Sequence, residues 1–435
     1  MKKIFKILLL IVGIICIVIL ISKYIGNLSQ SKLSLQNKDK DLDYSIKYKG
    51  MKGAVDFTVD NLNNYYIAYK DKIQVIENSG KSYYLFKNKN LNISSIDFND
   101  NKLYFASDTK VYSYDLKNKK MTEIVSNLPN YGDYKNSIVR VEGEYIYITL
   151  GAATNSGVVG EDNKYLKDNP FTHDISPKDI VLKGINFGEH KTGAFQSYNT
   201  RSTNGQIISG HFPGNASIML YNTKTGNSET FAWGIRNVTG MDFNSQGKLF
   251  TVIGGMENRG LRPVKGDSDY IYEIKKGNWY GWPDYSGGDP IISPRFRLNY
   301  NSNLQFVLEN HPTTNPPAPI YQYNKVNSMR SLAIDKNGVL GTKDCMYFYD
   351  RSNNIIYAFN GVGSGKEEIK LSKNAYAADM KFYDNSLLVL DSNHGYIYSI
   401  NKHKYTSFNI DKKVYLYLII ICISGIVMML VIQKK

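Results

Sequence analysis

The sequence predicts an all-β fold, a six-bladed β-propeller, and three observations favour it. A short strand–turn–strand unit recurs six times along the chain. Near both ends of the repeated region its spacing is roughly 40 residues, a period typical of propeller blades. The chain also holds 35 Tyr and 35 Gly, which favour strands and tight turns. No segment of the long central region shows a sustained helical period of apolar residues.

The six copies share one pattern, in which apolar residues flank a small or polar residue, a polar turn follows, and a strand comes next. They occupy residues 55–69, 96–107, 139–151, 241–254, 332–350 and 380–391. A second strand pair follows most copies, so each unit supplies the four strands of a blade. Seven blades are the alternative count.

Two long insertions interrupt the repeat, at about 152–217 and 284–320. The first is rich in Gly, Asn, Ser and Thr, and the second contains NHPTTNPPAPIYQY. Long excursions from a compact fold are commonly functional loops. We therefore expect both insertions to cap one face of the propeller.

The two ends of the chain have the composition of membrane-spanning helices. Residues 7–22 and 414–433 contain no charged side chain, and about 20 apolar residues cross a bilayer as a helix. The sequence thus predicts an N-terminal transmembrane anchor at 1–26 and a C-terminal transmembrane helix at 414–433. A cleaved signal peptide is the alternative for the first span.

Lysines beside the first span set the expected topology. Three lysines precede that span, against Lys23 alone behind it, and this bias favours a cytoplasmic N-terminus. Two spans then place the intervening chain outside the cytoplasmic membrane. We expect it to comprise a polar stalk at 27–48 and the propeller domain at 49–403.

The net charge indicates which partners the chain can bind, and the cysteine content indicates whether disulfides stabilise the propeller. The net charge is +14, which suits a membrane surface or an anionic cell wall. The basic residues are spread too evenly to indicate nucleic acid, and none is expected as a partner. Only Cys345 lies outside the predicted spans, so the propeller has no internal disulfide and depends on its own core.

One turn carries the strongest functional signal. The stretch FAWGIRNVTGMDFNSQGKLF (231–250) places Arg236 and Asn237 just before a strand, and GNWYGWP follows at 277–283. Short polar turns between apolar strands are where a propeller presents ligand-facing groups. The pattern resembles the glucose/sorbosone dehydrogenase family of quinone-dependent propellers, whose hallmark is G-x-R-N-x-x-G, a strand, and then Y-G-W-P. The resemblance makes Arg236 and Asn237 candidates for ligand or cofactor binding.

The resemblance implies a quinone cofactor, PQQ, whose carboxylates need cationic partners, and a histidine base. In the corresponding segment, DYKNSIVRVEGEYIYITLG (133–151), Asp133 or Tyr134 stands where the family has its His. Asp133 serves as a base only if its pKa lies well above about 4. An ordinary turn residue is the alternative reading of Asp133.

Further family positions have also changed. Tyr376 and Ala378 stand where the last blade of the family carries two cofactor-binding arginines. Candidate substitutes from other loops are Arg259, Arg262 and Arg330.

The resemblance also implies a calcium site ahead of the Y-G-W-P turn. Asp269 matches the family's Asp, but Tyr270 replaces its Glu. Calcium takes about six to eight oxygen ligands, which Asp267, Asp269 and loop carbonyls would have to supply. Solvated loop acids are the alternative.

Three functional hypotheses follow. The first is a membrane-anchored extracytoplasmic propeller that has lost quinone oxidoreduction and binds a sugar or a cell-wall glycan. The second is an active quinone-dependent sugar dehydrogenase with a rearranged site. The third is a platform for protein interactions at the cell envelope. The missing His and the missing Arg pair favour the first.

Overall fold

A computed structural model describes residues 35–37, 39–296 and 304–403, together with Gly13. Residues 37–402 form one compact unit. Apart from Gly13, both predicted membrane spans lie outside the described residues. No helix within the described ranges is long and apolar enough to cross a membrane.

The regular secondary structure of the described chain consists of strands and two short 3-10 helices, η1 (Lys164–Lys167) and η2 (Pro294–Phe296). In chain order the strands are β1 (Gln36–Asn37), β2 (Leu42–Lys49), β3 (Asp56–Val59), β4 (Tyr65–Tyr69), β5 (Lys72–Ile76), β6 (Ser82–Lys87), β7 (Ile93–Asn99), β8 (Lys102–Ser107), β9 (Lys110–Asp115), β10 (Lys120–Val125), β11 (Val139–Glu142), β12 (Tyr145–Leu150), β13 (Ile180–Lys183), β14 (Asn186–Phe187), β15 (Thr192–Gly193), β16 (Asn204–Ile208), β17 (Ser217–Asn222), β18 (Ser228–Trp233), β19 (Val238–Phe243), β20 (Leu249–Ile253), β21 (Tyr270–Ile274), β22 (Tyr285–Ser286), β23 (Asp289–Pro290), β24 (Tyr321–Gln322), β25 (Met329–Asp335), β26 (Cys345–Asp350), β27 (Ile355–Phe359), β28 (Lys366–Lys370), β29 (Ala377–Tyr383), β30 (Ser386–Asp391) and β31 (Tyr396–Lys402).

Six antiparallel sheets form the blades, which confirms the predicted all-β, six-bladed propeller. Their strand orders are β3-β4-β5-β6, β7-β8-β9-β10, β11-β12-β17-β18, β19-β20-β21-β24, β25-β26-β27-β28 and β29-β30-β31-β2. The fifth sheet carries the short β1 as an additional edge strand. The first strand of each blade is the inner one, because β3, β7, β11, β19, β25 and β29 contact one another in a closed ring.

The sixth blade is closed by a strand from the start of the domain. β2 pairs antiparallel with β31, with Leu42 opposite Lys402. The predicted stalk at 27–48 is therefore wrong where it overlaps β2, and the propeller begins before residue 49. The segment LDYSIKYK alternates apolar and polar residues, which is the period of a half-buried strand. The polar residues on either side of this segment masked that signal.

A buried cluster of charged side chains lies on the propeller axis. Arg140 on β11 contacts Asp56 on β3 at 3.3 Å and Asp379 on β29 at 2.9 Å, and all three are buried. Burial, and then the neighbouring Asp56, raise the pKa of Asp379 well above its usual range. Against burial, Lys381 and Arg140 lower the pKa of Asp56 to about 2. Asp379 is thus part of a charge network that joins three inner strands.

The two insertions pack against each other and share one apolar core. Leu182 of the first insertion forms a β-bridge with Leu308 of the second, and the ring of Phe195 lies 5.9 Å from that of Trp282, just before the second insertion. The two insertions therefore share one packed core, and the expectation that they cap one face stays a prediction.

Arg262 anchors this shared core and does not reach a ligand cavity. It is 1% exposed, and it forms an ion pair of 2.8 Å with Asp284. It also donates hydrogen bonds to the backbone oxygens of Ser156 at 3.0 Å and Gln305 at 2.9 Å. The suggestion that Arg262 replaces a cofactor-binding arginine is therefore wrong, because both of its terminal nitrogens bond within the core and its side chain is buried there.

The two ends of the first insertion meet at the buried Asp174. Its carboxylate accepts hydrogen bonds from the Ala153 amide at 2.6 Å and the Thr154 hydroxyl at 2.5 Å. The Asn215 side chain donates to it at 3.3 Å. Burial raises the pKa of Asp174 to about 6.

We expect the wild-type chain to lose stability relative to an Asp174→Asn variant as the pH rises from about 4 to about 6. The unfolded carboxyl ionises near 3.8, whereas the folded one keeps its proton to about 6. Between these two pH values the folded chain keeps a proton on Asp174 that the unfolded chain has lost. The stability that this proton contributes decreases as the pH rises and is gone above the folded pKa. Two pKa units correspond to about 3 kcal/mol. Urea unfolding of both chains across this interval measures the effect, and a difference that stays constant with pH would contradict it.

Candidate functional site

The segments that precede the six inner strands surround a central cavity of about 710 Å³, called the mouth below. It lies at the end of the propeller where these strands begin. Its lining is mostly small or polar, and comprises Ala54, Val55, Lys70, Asn92, Ile93, Ser94, Asp133, Tyr134, Lys135, Asn136, Ile138, Asn237, Val238, Thr239, Asn327, Arg330, Arg351, Tyr376, Ala378 and Ser392.

Positive charge dominates the mouth. Lys70, Lys135, Arg330 and Arg351 line it, and within the described chain Asp133 is its single lining carboxylate. Lys70 and Lys135 come from loops of two other blades, whereas Arg330 on β25 and Arg351 after β26 both belong to the fifth blade, so no continuous motif reveals all four. The fold alone brings them together.

Arg330 is the most informative of these cations. It is only partly exposed, and it donates hydrogen bonds to the Met329 backbone oxygen and the Asn327 side chain. No carboxylate of the described residues pairs with it. Burial lowers its pKa, and the neighbouring Arg351 acts in the same direction. A partly buried guanidinium held beside a second one without a counter-ion is a typical feature of an anion site.

Arg236 lies in the wall beneath the mouth and is 4% exposed. It donates to the Asn155 backbone and side-chain oxygens at 3.0 and 2.9 Å and to the Gly254 carbonyl at 3.1 Å. It forms an ion pair with Glu257 at 3.1 Å and stacks on the ring of Tyr134, with 4.2 Å between guanidinium carbon and centroid. Arg236 thus braces loops around the site, and a direct ligand contact stays a prediction.

Of the other residues of the Arg-Asn motif, one lines the cavity and the others pack within the protein. Asn237 lines the mouth, and its role in ligand or cofactor binding stays a prediction. Gly234 has a φ of 69°, and a Cβ there would collide with the Trp279 ring. Trp282, from the Y-G-W-P turn, donates to the Asn155 carbonyl at 3.2 Å. The glycine and the tryptophans of the motif therefore specify packing.

Asp133, the weak candidate for a base, lies between the mouth and a neighbouring cavity. Burial raises its pKa, which is the direction a base requires. The Arg259 guanidinium, 2.7 Å away, opposes that shift, and Asn163 donates to the same carboxylate oxygen at 2.9 Å. The carboxylate is therefore held by protein partners, and its catalytic role stays a prediction.

Arg259 does not act as a free cation for a cofactor. Besides Asp133, it pairs with Glu257 at 2.9 Å and with Asp162, and it donates to the Tyr134 hydroxyl at 2.9 Å. Of the three arginines considered as substitutes, only Arg330 lines the mouth.

Asp269, the predicted metal ligand, is a support for the backbone. It is fully buried, and its two oxygens accept hydrogen bonds from four amides, those of Gly255 at 3.2 Å, Asn327 at 2.9 Å, Ser328 at 2.6 Å and Met329 at 2.7 Å. Amide donors surround the carboxylate on the sides that a cation would approach. No metal-binding group of three or more suitable side chains occurs in the described ranges. The predicted calcium site at Asp269 does not fit this arrangement.

The comparison with known families agrees with the motif. The family model described as "Glucose / Sorbosone dehydrogenase" matches residues 184–308, a stretch that contains both the Arg236–Asn237 turn and the Y-G-W-P turn. The resemblance to this family is thereby confirmed. The chain matches none of the curated proteins.

Solved structures with the same fold include three carbohydrate-active propellers. A Trichoderma reesei enzyme of family AA12 has a TM-score of 0.57 at 13% identity, over 85% of this chain and 98% of that one. The PQQ domain of a Coprinopsis cinerea pyranose dehydrogenase has a TM-score of 0.56 at 10% sequence identity, over 85% of this chain and 97% of that one. The soluble aldose sugar dehydrogenase of Escherichia coli has a TM-score of 0.55 at 11% sequence identity, over 83% of this chain and 100% of that one. At these identities the likeness establishes the fold.

Proposed function

Starting from a propeller of the glucose/sorbosone dehydrogenase type, we propose that this chain binds an anionic sugar or glycan in its mouth and does not oxidise it. The observation that carries the proposal is Arg330, a partly buried cation with no carboxylate partner among the described residues. An anionic ligand supplies the missing charge, and its binding is favoured because Arg330 is already desolvated and held in place.

The remaining lining suits the hydroxyl groups of a sugar. Asn136 and Asn237 line the mouth, and their side-chain amides can both donate and accept hydrogen bonds. Hydroxyl groups need such two-way partners. The mouth therefore offers charge for an acidic group and amides for the ring hydroxyls.

The lack of a free base argues against oxidation. Removing a proton from a sugar hydroxyl requires a group within hydrogen-bond reach that is free to accept it. Within the described lining Asp133 is the single carboxylate, and Arg259 and Asn163 both bond to its Oδ2. Tyr376 and Ala378, at the positions of the family's arginine pair, also line the mouth.

The same proposal places the propeller outside the cytoplasmic membrane. Its support is the pair of charge-free apolar runs at 7–22 and 414–433 and the positive charge of the chain between the anchors, where 47 basic residues stand against 39 acidic ones. A basic propeller at the cell surface lies beside anionic wall polymers or lipids, which makes an acidic glycan an accessible ligand.

We expect Arg330→Gln to weaken binding of glucuronate by about tenfold or more, a loss of about 1.4 kcal/mol, because it removes the unpaired charge. Isothermal titration calorimetry on the full-length chain in detergent measures it, with glucose as the neutral match for glucuronate. Arg201→Gln, an exposed arginine outside the mouth, is the control. Equal affinity for glucose and glucuronate, or equal binding by wild type and Arg330→Gln, would refute the anionic-sugar proposal.

A quinone-dependent sugar dehydrogenase is the second candidate, because the same cations suit a carboxylated quinone. Arg330, Arg351 and Lys135 would hold the carboxylates of PQQ, which when bound supplies the acceptor for hydride. Addition of PQQ and calcium with a redox dye and aldoses separates the candidates. Saturable dye reduction that depends on both sugar and PQQ would favour the dehydrogenase.

A further inference from the structure

A second cavity, of about 520 Å³, adjoins the mouth and is called the groove below. It is lined by residues 131–135, by η1 and the turn that follows, and by Arg259. Asp133, Tyr134 and Lys135 line both cavities. The mouth and the groove are therefore neighbouring compartments that share one short segment, and each has the volume of a typical ligand site, about 300 to 1,000 Å³.

The groove combines aromatic surface with polar side chains that have free hydrogen-bonding capacity. Tyr131 is 50% exposed, and the buried hydroxyl of Tyr165 has no partner within the described chain. The side chains of Lys164, Asp168 and Asn169 line the same space and make no hydrogen bond or ion pair with described residues. Sugars suit this combination, because a pyranose packs its apolar face on an aromatic ring while polar groups bind its hydroxyls.

The two compartments differ in charge. In the groove, the positive charges of Lys135, Lys164 and Arg259 are balanced by three aspartates, Asp133, Asp162 and Asp168. In the mouth, positive charge is in excess. A ligand that spans both is therefore expected to place an acidic unit in the mouth and an uncharged unit in the groove.

The wall between the compartments is fixed before any ligand arrives. Arg259 joins Asp133, Glu257 and Asp162, and Arg236 joins the same Glu257 from below. A site that is already ordered loses less entropy on binding. The arginine network around the Arg-Asn turn thus preorganises both cavities.

We propose that the mouth and the groove form one site for an oligosaccharide in which a uronic acid is linked to a neutral sugar. This rests on the proposed function of the mouth. The acidic unit lies against Arg330, and the chain passes the 133–135 segment. The neutral unit then stacks on Tyr131 and bonds to Asp168 and Asn169.

The test compares glucuronate with a disaccharide of glucuronate and N-acetylglucosamine, the repeating unit of hyaluronan, by calorimetry on the full-length chain. The disaccharide is expected to bind about tenfold more tightly than glucuronate, about 1.4 kcal/mol. A Tyr131→Ala/Asn169→Ala double variant is expected to bind both at the glucuronate level. Tyr83→Ala, a similarly exposed tyrosine on the outer strand β6, is expected to keep the tenfold gain.

The outcomes separate the groove from the mouth. If glucuronate binds but the disaccharide binds no more tightly, or if the double variant keeps the gain, the groove is not a subsite and the mouth proposal stands. If neither sugar binds, both proposals fail. An equal gain for digalacturonate, whose two units are both acidic, would overturn the assignment of a neutral unit to the groove.

Discussion

Replacing Arg236 by Met is expected to lower the free energy of unfolding by about 3 to 5 kcal/mol. The substitution keeps much of the side-chain volume and removes every donor. It leaves the Gly254 oxygen without its side-chain donor, removes one of the donors to each Asn155 oxygen and removes one ion pair from Glu257. Buried polar groups without partners cost about 1 to 3 kcal/mol each. Urea unfolding of the full-length chain, followed by circular dichroism, measures the loss.

Two further variants make this result specific. Arg201→Met removes an exposed arginine and is expected to change stability by no more than about 0.5 kcal/mol. Arg236→Lys keeps the charge but not the planar fork of donors, so an intermediate loss is expected. If Arg236→Met unfolds like wild type but no longer binds glucuronate, Arg236 is a ligand contact and not a brace.

The second large effect is expected from Asp269→Asn, a loss of about 3 kcal/mol or more. The carboxylate accepts from four backbone amides, two on each oxygen. In asparagine one of these oxygens becomes an amide nitrogen, which faces two donors and can accept from neither. The loops of Gly255 and Asn327, which border the site, lose a shared anchor.

The melting temperature of the wild-type chain with EDTA or with added calcium tests the calcium site that the family resemblance implied. If Asp269 serves the backbone only, EDTA leaves the melting temperature of the wild-type chain unchanged and added calcium does not raise it. If it binds calcium, the metal stabilises the folded state by mass action, and EDTA lowers the melting temperature. Asp100→Asn is the control, because Asp100 is exposed and its φ of 47° also suits Asn.

The repeat made the propeller predictable, because alternating strands and polar turns are local in sequence. The repeat does not predict β2, because its partner β31 lies at the other end of the domain and no repeat unit lies beside it in the sequence. The Arg-Asn turn was found from its pattern, and Asn237 does line the mouth.

The chemistry of the site was less accessible from the sequence. A pattern identifies Arg236 but does not say whether its guanidinium points to a cavity or to carbonyl oxygens. The sequence predicts Asp269 as a metal ligand, but in the structure four backbone amides donate to its carboxylate. Arg330 and Arg351 lie close because β25 and β26 pair antiparallel, and only the assembled ring brings them to one mouth with Lys70 and Lys135.

Closure of the ring by β2 and β31 also sets the timing of folding during synthesis. The ribosome makes β2 roughly 350 residues before its partner, and at common elongation rates about 20 to 70 s separate the two. Until then the apolar side of β2 lacks a neighbour, and Arg140 lacks Asp379, its partner on β29. The last blade therefore completes the whole domain, and a nascent chain that stops short of residue 377 holds an open ring with two unpaired sheet faces.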